Sequence, residues 1–432
     1  MICDNLGINP EGNLTFAGRD VNVLAKTYGT PLYLMDEERI RHNCRVYVNA
    51  MKKYFDETAL PLYASKAASF KQIYRIAREE GMGVDVVSGG ELYTAITSDF
   101  PAENIYFHGN NKTDDEIEYA IKSGVGYLIA DSIEEICAID EIAGKLKACQ
   151  KILLRITPGV DPHTYAAVAT GKVDSKFGFA IKTGAANEAV EVALSKKNID
   201  FCGIHCHVGS QVFDSEVYFK TSNIMLDFAW EIKNKFGCEI KILNLGGGYG
   251  VRYVEADPEI DIAANIAQVA DKIKAKCSEL GISVPSMRME PGRSIVADAG
   301  LTLYTVGAVK KIPSYKNYVA IDGGMTDNPR YALYGSAYTV AIANRMNEKP
   351  ELVCTVAGRC CESGDLIQEN VALPKTVQRG DIAAVMTTGA YNYSMSSNYN
   401  RVPKPPIVML AKDKEYVAVK RETYEDIVRN DI

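Results

Sequence analysis

The chain lacks an excess of positive charge, a long apolar run and a secretion-type leader. Its 432 residues include 48 Lys and Arg against 55 Asp and Glu, which gives a net charge of −7 at pH 7. This balance argues against an extended nucleic-acid surface. The sequence contains no run of about 18 apolar residues, the length needed to cross a membrane. The segment MICDNLGINP also lacks the basic stretch followed by an apolar one that is typical of a secretion signal. We therefore expect no nucleic-acid partner and no membrane attachment.

The cysteines do not form the pattern of a disulfide framework. Eleven of them are scattered along the chain, and an odd number of dispersed thiols in a long chain is typical of a reduced, cytoplasmic protein. Hydrophobic residues make up 47% and charged residues 24% of the sequence, as in folded globular proteins. The length predicts two or three domains.

Eight short apolar runs alternate with helical patterns between residues 60 and 293. The runs are LPLYASK (60–66), GVDVVS (83–88), IYFHG (105–109), YLIAD (127–131), ILLRI (152–156), GIHCHVGS (203–210), ILNLGGG (242–248) and MRMEPGR (287–293). Two capping-box patterns, TDDE (113–116) and SIEE (132–135), lie between them. Apolar residues recur at helical spacing in three further segments, 185–197, 214–236 and 260–280. The alternation predicts an α/β fold with a TIM-type (β/α)8 barrel; a doubly wound open sheet is the alternative.

The sequence pattern changes after residue 294. The segments LTLYTVGAV, NYVAIDGG, ELVCTVAG and DIAAVMTTGAY are strand-like, and long helical patterns are scarce. NLTFAG (13–18) and PLYLMD (31–36) are also strand-like and could pair with this C-terminal region. We therefore predict a barrel domain at 37–293 and a β domain, resembling a β-sandwich or β-barrel, formed by residues 1–36 and 294–432.

Residues able to do chemistry end several of the predicted barrel strands. They are Lys66 and Asp85 on the first two runs, His207 and Ser210 on the sixth, Gly246, Gly247 and Gly248 on the seventh, and Glu290, Gly292 and Arg293 on the eighth. Taken singly, each could be a solvated side chain, a turn or a cap. Because barrel active sites form at the carboxyl ends of the strands, together they indicate one site.

The glycine triplet and the lysine indicate bound pyridoxal phosphate. Glycines after the seventh strand let backbone N–H groups approach a phosphate, and Lys66 can form a Schiff base with an aldehyde. A carboxylate such as Glu290 would keep the ring nitrogen protonated, and His207 could lie against the ring. A zinc site formed by Cys202, His205, Cys206 and His207 is the competing interpretation, but one strand cannot wrap a tetrahedral ion with them. We expect no metal.

The predicted β domain adds further candidates. GRCCESGD (358–365) offers a thiol and carboxylates to a neighbouring site, although it could also be an ordinary acidic loop. NPRYALYGS (328–336) offers Arg330 and Tyr334 for a carboxylate. GAYNYSM (389–395) offers the phenol of Tyr391.

The motifs YASKA, HCHVGSQ, NLGGGYG, EPGR, CCESGD and GAYNYSM together resemble the fold-type III pyridoxal-phosphate decarboxylases, whose fold is alanine-racemase-like. The similarity runs from about residue 13 to 410. It implies a homodimer with shared active sites, meso-2,6-diaminopimelate as the small-molecule substrate, and L-lysine and CO2 as products, the last step of lysine biosynthesis.

The same resemblance implies a role for each candidate. Lys66 would hold the cofactor covalently, with His207 stacked on its ring. Cofactor contacts would come from Lys66, Asp85, His207, Ser210, Gly246, Gly247, Gly248, Glu290, Gly292, Arg293 and Tyr391. Cys361, supplied by the partner subunit, would be the proton donor. Substrate contacts would come from Arg293, Arg330, Tyr334, Glu362 and Tyr391.

Three rival functions remain open. Decarboxylases of the same fold act on carboxynorspermidine, ornithine, lysine or arginine, and Arg330 with Glu362 favours diaminopimelate over these. An amino-acid racemase would share the barrel and Lys66 but would need a proton carrier on each face. A regulator that has lost the cofactor would not be expected to keep Lys66, His207 and Glu290.

Overall fold

The computed structural model describes residues 1–160 and 175–432. The chain divides into two compact units. The first, here called the barrel unit, comprises Asn43–Gly250 and Glu259–Gly292. The second, the sheet unit, comprises Met1–His42, Val251–Pro258 and Arg293–Ile432.

Eight parallel strands close into a barrel in the first unit. In chain order they are Leu60–Ala64, Gly83–Val86, Ile105–Phe107, Tyr127–Ala130, Gln150–Thr157, Ile199–His205, Ile242–Asn244 and Ser286–Met289. Each pairs with the next, and the eighth pairs with the first through Arg288 opposite Leu60. A short ninth strand, Phe179–Ala180, adds to the fifth. The predicted (β/α)8 fold is confirmed, and the open-sheet alternative is wrong.

Helices follow the barrel strands. They are Lys71–Glu79, Gly89–Ile96, Asp114–Lys122, Ile133–Lys145, Ala185–Ser195, Ser215–Phe236 and Ile262–Leu280. A further helix, Glu37–Tyr54, begins in the sheet unit and continues into the barrel unit. Thr113 and Glu116 form the predicted reciprocal capping box. At the next helix only Ser132 caps the backbone, because the Glu135 carboxylate binds buried Lys112 at 2.6 Å instead. None of the helices in the described residues has the length and hydrophobicity needed to span a bilayer.

The barrel interior contains an apolar layer, with polar residues beyond it toward the carboxyl ends of the strands. One apolar cluster joins six of the strands through Leu62, Tyr106, Ile129, Leu153, Cys202 and Ile242. His205 and Asn244 lie further along the same strands as Cys202 and Ile242, toward their carboxyl ends. On these two strands, buried polar residues therefore begin where the apolar layer stops.

A nine-stranded sheet dominates the second unit. Its main path runs Leu366–Leu373, Leu352–Ala357, Lys316–Ile321, Gly300–Ile312, Leu32–Asp36, Ile407–Leu410 and Glu415–Val419. Ile382–Met386 branches from Gly300–Ile312 and pairs with Val340–Ile342. Short helices lie at Arg293–Val296, Arg330–Tyr334 and Tyr424–Val428.

The two predicted front strands behave differently. Leu32–Asp36 pairs with Gly300–Ile312 and Ile407–Leu410, so the start of the chain is part of the C-terminal sheet. Leu14–Phe16 pairs instead with Leu6–Ile8 and Arg19–Asp20 in a separate small sheet, ahead of the helix Val21–Tyr28. Its side chains still pack into the core of the sheet unit. Burial of alternate residues, together with the Leu14 N–H bond to the Ala343 carbonyl at 2.7 Å, attaches this segment to the sheet unit.

Candidate active site

Lys66 stands at the carboxyl end of the first barrel strand. It lies in the 3₁₀ turn Ser65–Ala67, where its own side chain is exposed and both neighbours are buried. The strand end is held by the Ala64 N–H, which donates to the Pro291 carbonyl at 3.0 Å. An amine presented on a turn whose two neighbouring residues are buried is positioned to react with a bound molecule.

Glu290 is a buried carboxylate with three side-chain partners. It is 6% exposed, and Asn244 Nδ2 donates to Oε1 at 2.7 Å. His108 Nε2 lies 2.7 Å from Oε1, and His205 Nε2 lies 3.2 Å from Oε2. Burial alone would raise the pKa of Glu290, but the two histidines outweigh it and hold that pKa well below its usual range. Glu290 is therefore an ionised carboxylate in a buried position.

Asp85 is a second buried carboxylate beside the first. It lies in the second strand and is 2% exposed. Burial raises the pKa of Asp85, and the neighbouring charges of His108 and Lys66 oppose that rise. Among the described residues, its Oδ1 has no hydrogen-bond donor. An acceptor buried in this way is costly unless a ligand or water satisfies it.

The glycine triplet forms a close-fitting loop after the seventh strand. Gly246 has a φ of +69° and Gly248 a φ of +128°, which side-chain-bearing residues rarely adopt. A Cβ on Gly247 would lie 2.1 Å from the carbonyl oxygen of Glu290. The loop is tied to the site because the Gly246 N–H donates to Asn244 Oδ1 at 2.9 Å. Only glycine fits this loop at all three positions.

The residues after the sixth strand lie against this loop. A Cβ on Gly246 would lie 2.9 Å from His207 Cβ, so the histidine and the triplet are in contact. Burial, and then the charge of Lys66, hold the pKa of His207 well below its usual value, so the imidazole is neutral at neutral pH. Ser210 follows, partly buried. A Cβ on Gly292 would meet Ala64 at 3.0 Å, so this glycine lets the segment after Glu290 approach the first strand.

These residues fit pyridoxal phosphate. The amine of Lys66, the ionised Glu290 and the side-chain-free cradle at 246–248 supply a covalent anchor, a partner for a cationic ring nitrogen and room for an anion. The orphaned Oδ1 of Asp85 offers one more acceptor beside them.

The sheet unit brings two buried arginines around one tyrosine. Arg293 and Arg330 are each 6% exposed. Arg293 Nη1 donates to the Tyr253 hydroxyl at 2.6 Å, and the Arg330 guanidinium lies 4.9 Å from the centre of the same ring. Arg330 also donates to the Tyr338 hydroxyl at 2.7 Å. Tyr391 lies under Arg293, with 4.9 Å between ring centre and guanidinium.

In the described residues, the recorded partners of Arg330 are all uncharged. Besides Tyr253 and Tyr338, it donates to Ser336 Oγ at 3.2 Å. A buried cation without an anionic partner is unfavourable, so this guanidinium is suited to receive an anion. Tyr334, predicted to assist it, is 39% exposed one helical turn away.

The loop predicted to carry the acid is anchored by its last residue. Asp365 is 2% exposed and accepts hydrogen bonds from the backbone N–H groups of Cys360 at 2.7 Å and Met325 at 2.6 Å. Cys361 and Glu362 are exposed beyond this anchor. Burial, with Asp365 nearby, raises the pKa of the Cys360 thiol to about 11. Of the two adjacent thiols, Cys361 is the accessible one.

The zinc alternative does not survive the geometry of the described residues. Cys202 belongs to the apolar barrel cluster, whereas His205 points to Glu290. The four Cys and His side chains of this strand do not gather within metal-binding distance. Sequence reasoning missed His108, Asn244, Tyr253 and Tyr338 as members of the sites. Two of them stand within predicted strand runs, His108 in IYFHG and Asn244 in ILNLGGG, whereas Tyr253 and Tyr338 lie outside every predicted run.

Fold and site are those of a pyridoxal-phosphate enzyme, with the candidate Lys66 at the end of a barrel strand. Residues 38–297 match the family model of the pyridoxal-dependent decarboxylases, pyridoxal binding domain. The chain is 43% identical over 427 residues to the diaminopimelate decarboxylase of Bacillus subtilis (strain 168), covering 98% of this chain and 96% of that protein.

Solved structures give the same relationship. The diaminopimelate decarboxylase of M. jannaschii, in complex with L-lysine, superposes with a TM-score of 0.92 at 36% identity, covering 99% of this chain and 98% of that one. The enzyme of Helicobacter pylori, also with L-lysine, has a TM-score of 0.86 at 32% identity, covering 95% and 99%. The chain belongs to the diaminopimelate decarboxylase family of pyridoxal-dependent decarboxylases. The predicted family and cofactor are confirmed.

Proposed function

We propose that the protein decarboxylates meso-2,6-diaminopimelate to L-lysine and CO2, the last step of lysine biosynthesis, with bound pyridoxal phosphate. The observation that carries the choice of substrate is Arg330, a buried guanidinium whose recorded partners among the described residues are uncharged. Lysine and ornithine have no distal carboxylate and would leave this cation unpaired. The names of the relatives support the same substrate.

The barrel residues bind and orient. Pyridoxal phosphate, when bound, supplies a ring that accepts the electron pair left when CO2 departs. Lys66 Nζ would hold the cofactor covalently. Glu290 would keep a proton on the ring nitrogen, and His207 would pack against the ring. The N–H groups of Gly247 and Gly248, with Ser210 and Gly292, would bind the phosphate. Gly246 would shape the turn, with its own N–H bonded to Asn244 Oδ1, and Asp85 would be a further acceptor of the cofactor site.

The sheet-unit residues select the substrate and return a proton. Arg330 and Arg293 bind the distal carboxylate, with Tyr334 and Tyr391 completing its surroundings; Arg293 and Tyr391 also serve the cofactor. Glu362 binds the distal ammonium. Cys361 Sγ gives its proton to the carbon that lost CO2, which leaves L-lysine. In this proposal residues 37–293 bind the cofactor, and residues 1–36 and 294–432 complete the site.

The test of the activity is a substrate panel. The protein, loaded with pyridoxal phosphate, is incubated with meso-diaminopimelate, L-lysine, L-ornithine or carboxynorspermidine, and amine products and CO2 are quantified. We expect lysine and CO2 in equal amounts from diaminopimelate, and no product from a Lys66→Ala control. Faster turnover of ornithine or lysine would overturn the substrate. Racemised diaminopimelate without CO2 would indicate a racemase.

We also propose a homodimer in which Cys361 and Glu362 serve the site of the second copy. Both side chains are exposed in the single chain, so a partner could cover them. Lys66→Ala and Cys361→Ser are each expected to be inactive, and mixing them is expected to restore about a quarter of the activity, because half the dimers are mixed and each has one intact site. No recovery in mixed dimers would place both residues in the same copy's site.

A further inference from the structure

Two buried histidines contact Glu290 and have no role in the proposed chemistry. His108 follows the third barrel strand, His205 ends the sixth, and they are 4% and 0% exposed. Their rings meet edge to face with centres 4.7 Å apart. His108 Nε2 reaches one oxygen of Glu290 at 2.7 Å and His205 Nε2 the other at 3.2 Å. The carboxylate is thus contacted on both oxygens.

The tautomer of His205 follows from its surroundings. Burial lowers the pKa of His205 to about 4, so the ring is neutral at neutral pH and carries one proton. Its Nδ1 is buried with no hydrogen-bond partner among the described residues, whereas Nε2 faces a carboxylate. Because an ionised carboxylate only accepts, the proton belongs on Nε2. His205 is therefore a hydrogen-bond donor to Oε2.

The two oxygens of Glu290 are unequally occupied. Oε1 accepts from Asn244 and touches His108, whereas Oε2 has His205 as its one recorded partner in the described chain. Each carboxylate oxygen can accept about two hydrogen bonds. Oε2 consequently keeps an acceptor position for a ligand, and its orientation depends on His205.

We infer that His205, with His108 beside it, is a positioning residue that keeps Glu290 ionised and aims Oε2 at the ring nitrogen of the cofactor. The inference rests on the proposed function and deepens it. Without the His205 donor, Oε2 would be a buried acceptor with no protein partner, and the carboxylate would favour its protonated form. A neutral Glu290 could no longer hold a proton on the ring nitrogen, and the ring would withdraw electrons less strongly.

Other ionisable groups near Glu290 also interact with its charge. The groups whose titration responds to its charge come from several strands and are Asp85, Arg155, His205, Cys206 and His207. Of these, only His205 makes a hydrogen bond to the carboxylate. The experiment therefore varies that donor and leaves the other groups in place.

The test compares His205→Phe, which keeps a ring but removes the donor, with His205→Gln, which restores an N–H. The first readout is the absorption spectrum of the cofactor-loaded, substrate-free protein across pH. We expect a constant spectrum in the wild type and a pH-dependent one in His205→Phe near neutral pH, with His205→Gln close to wild type. For diaminopimelate, kcat of His205→Phe should fall roughly 10- to 100-fold with little change in KM, as for loss of one hydrogen bond to a charged group.

Several outcomes overturn the inference. The inference fails if the His205→Phe protein binds pyridoxal phosphate with the wild-type spectrum and the wild-type kcat. It also fails if both variants lose the same amount of melting temperature and neither shows a spectral change. If His205→Phe does not fold, His108→Phe carries the same spectral expectation. The nitrogen and oxygen atoms of His108, His205 and Glu290 lie within 4.8 Å of one another, so a stoichiometric metal in the purified protein would also contradict it. A spectral change in a protein that never turns over diaminopimelate would refute the proposed function alone.

Discussion

Replacing Arg330 tests the substrate assignment most directly. Arg330→Ala removes a guanidinium that is 6% exposed and has uncharged recorded partners in the described residues. If it binds the distal carboxylate through two charge-assisted hydrogen bonds, each contributes about 1.5–3 kcal/mol. The loss of about 3–6 kcal/mol corresponds to a fall in kcat/KM for diaminopimelate of roughly 10²- to 10⁴-fold.

The effect on stability should be much smaller, because two terms oppose each other. Removing an unpaired buried cation relieves its desolvation. However, Ser336 and Tyr338 then lose a donor at 3.2 Å and 2.7 Å, respectively. Tyr338 still accepts from Asn392 Nδ2 at 3.3 Å, which limits the cost. A folded variant with a melting temperature near that of the wild type is therefore expected.

The assay measures kcat/KM for meso-diaminopimelate and, separately, for L-lysine. Arg330→Lys keeps the charge but not the paired donors, so it should be intermediate. Tyr338→Phe removes the 2.7 Å bond that orients Arg330 and should cost roughly 2- to 10-fold. A folded Arg330→Ala protein that keeps diaminopimelate turnover within about threefold of wild type would refute the reasoning.

Three further changes have defined outcomes. Gly247→Ala places a Cβ 2.1 Å from the Glu290 carbonyl oxygen. It should weaken pyridoxal-phosphate binding at least about tenfold and destabilise the fold by about 1–3 kcal/mol. The control Gly90→Ala, whose Cβ would have its nearest atom at 3.8 Å, should do neither. Cys361→Ser should lower kcat by roughly 10²-fold or more with KM nearly unchanged. Cys360→Ser, which replaces a partly buried thiol, should have little effect. A larger fall in kcat for Cys360→Ser than for Cys361→Ser would assign the proton donor to Cys360. Because the pKa of His205 falls to about 4 on folding, the unfolded chain takes up a proton first on acidification. The cofactor-free protein should thus lose roughly 3 kcal/mol of stability between about pH 6.5 and 4, and His205→Gln should lose less in urea titrations.

The fold was predictable because its signal is repeated. Eight short strand-like runs recur with helical patterns between them, so an error in one element would not have hidden the barrel. Individual local patterns were less secure. The segment SIEE forms only the Ser132 half of its predicted capping box, because the Glu135 carboxylate pairs with Lys112, which precedes the preceding helix in the chain. A tertiary ion pair overrode a local preference there.

The site was predictable as far as barrel topology reaches. Lys66, the triplet at 246–248 and Glu290 all end strands, and parallel strands bring their carboxyl ends to one face. Tyr253 could not be found in this way. It lies in Val251–Pro258, a segment of the sheet unit inserted between two barrel segments, and its role comes from contacts with Arg293 and Arg330, far away in sequence.

The loop GRCCESGD illustrates why composition alone cannot assign roles within an acidic segment. Asp365 and Glu362 carry the same charge and lie three residues apart, yet Asp365 is buried as a backbone acceptor and Glu362 is exposed. The two glycines that allow this burial, Gly324 and Gly358, would place a Cβ within 2.4 Å and 2.2 Å of the Asp365 carboxylate. The anchoring carboxylate is thus specified by Gly324 on another segment and by Gly358 at the start of the loop itself. Asp365 anchors the loop backbone through these hydrogen bonds, and the side chains of Cys361 and Glu362 are exposed. A proton donor and an ammonium-binding group that act on a second copy would need this exposure.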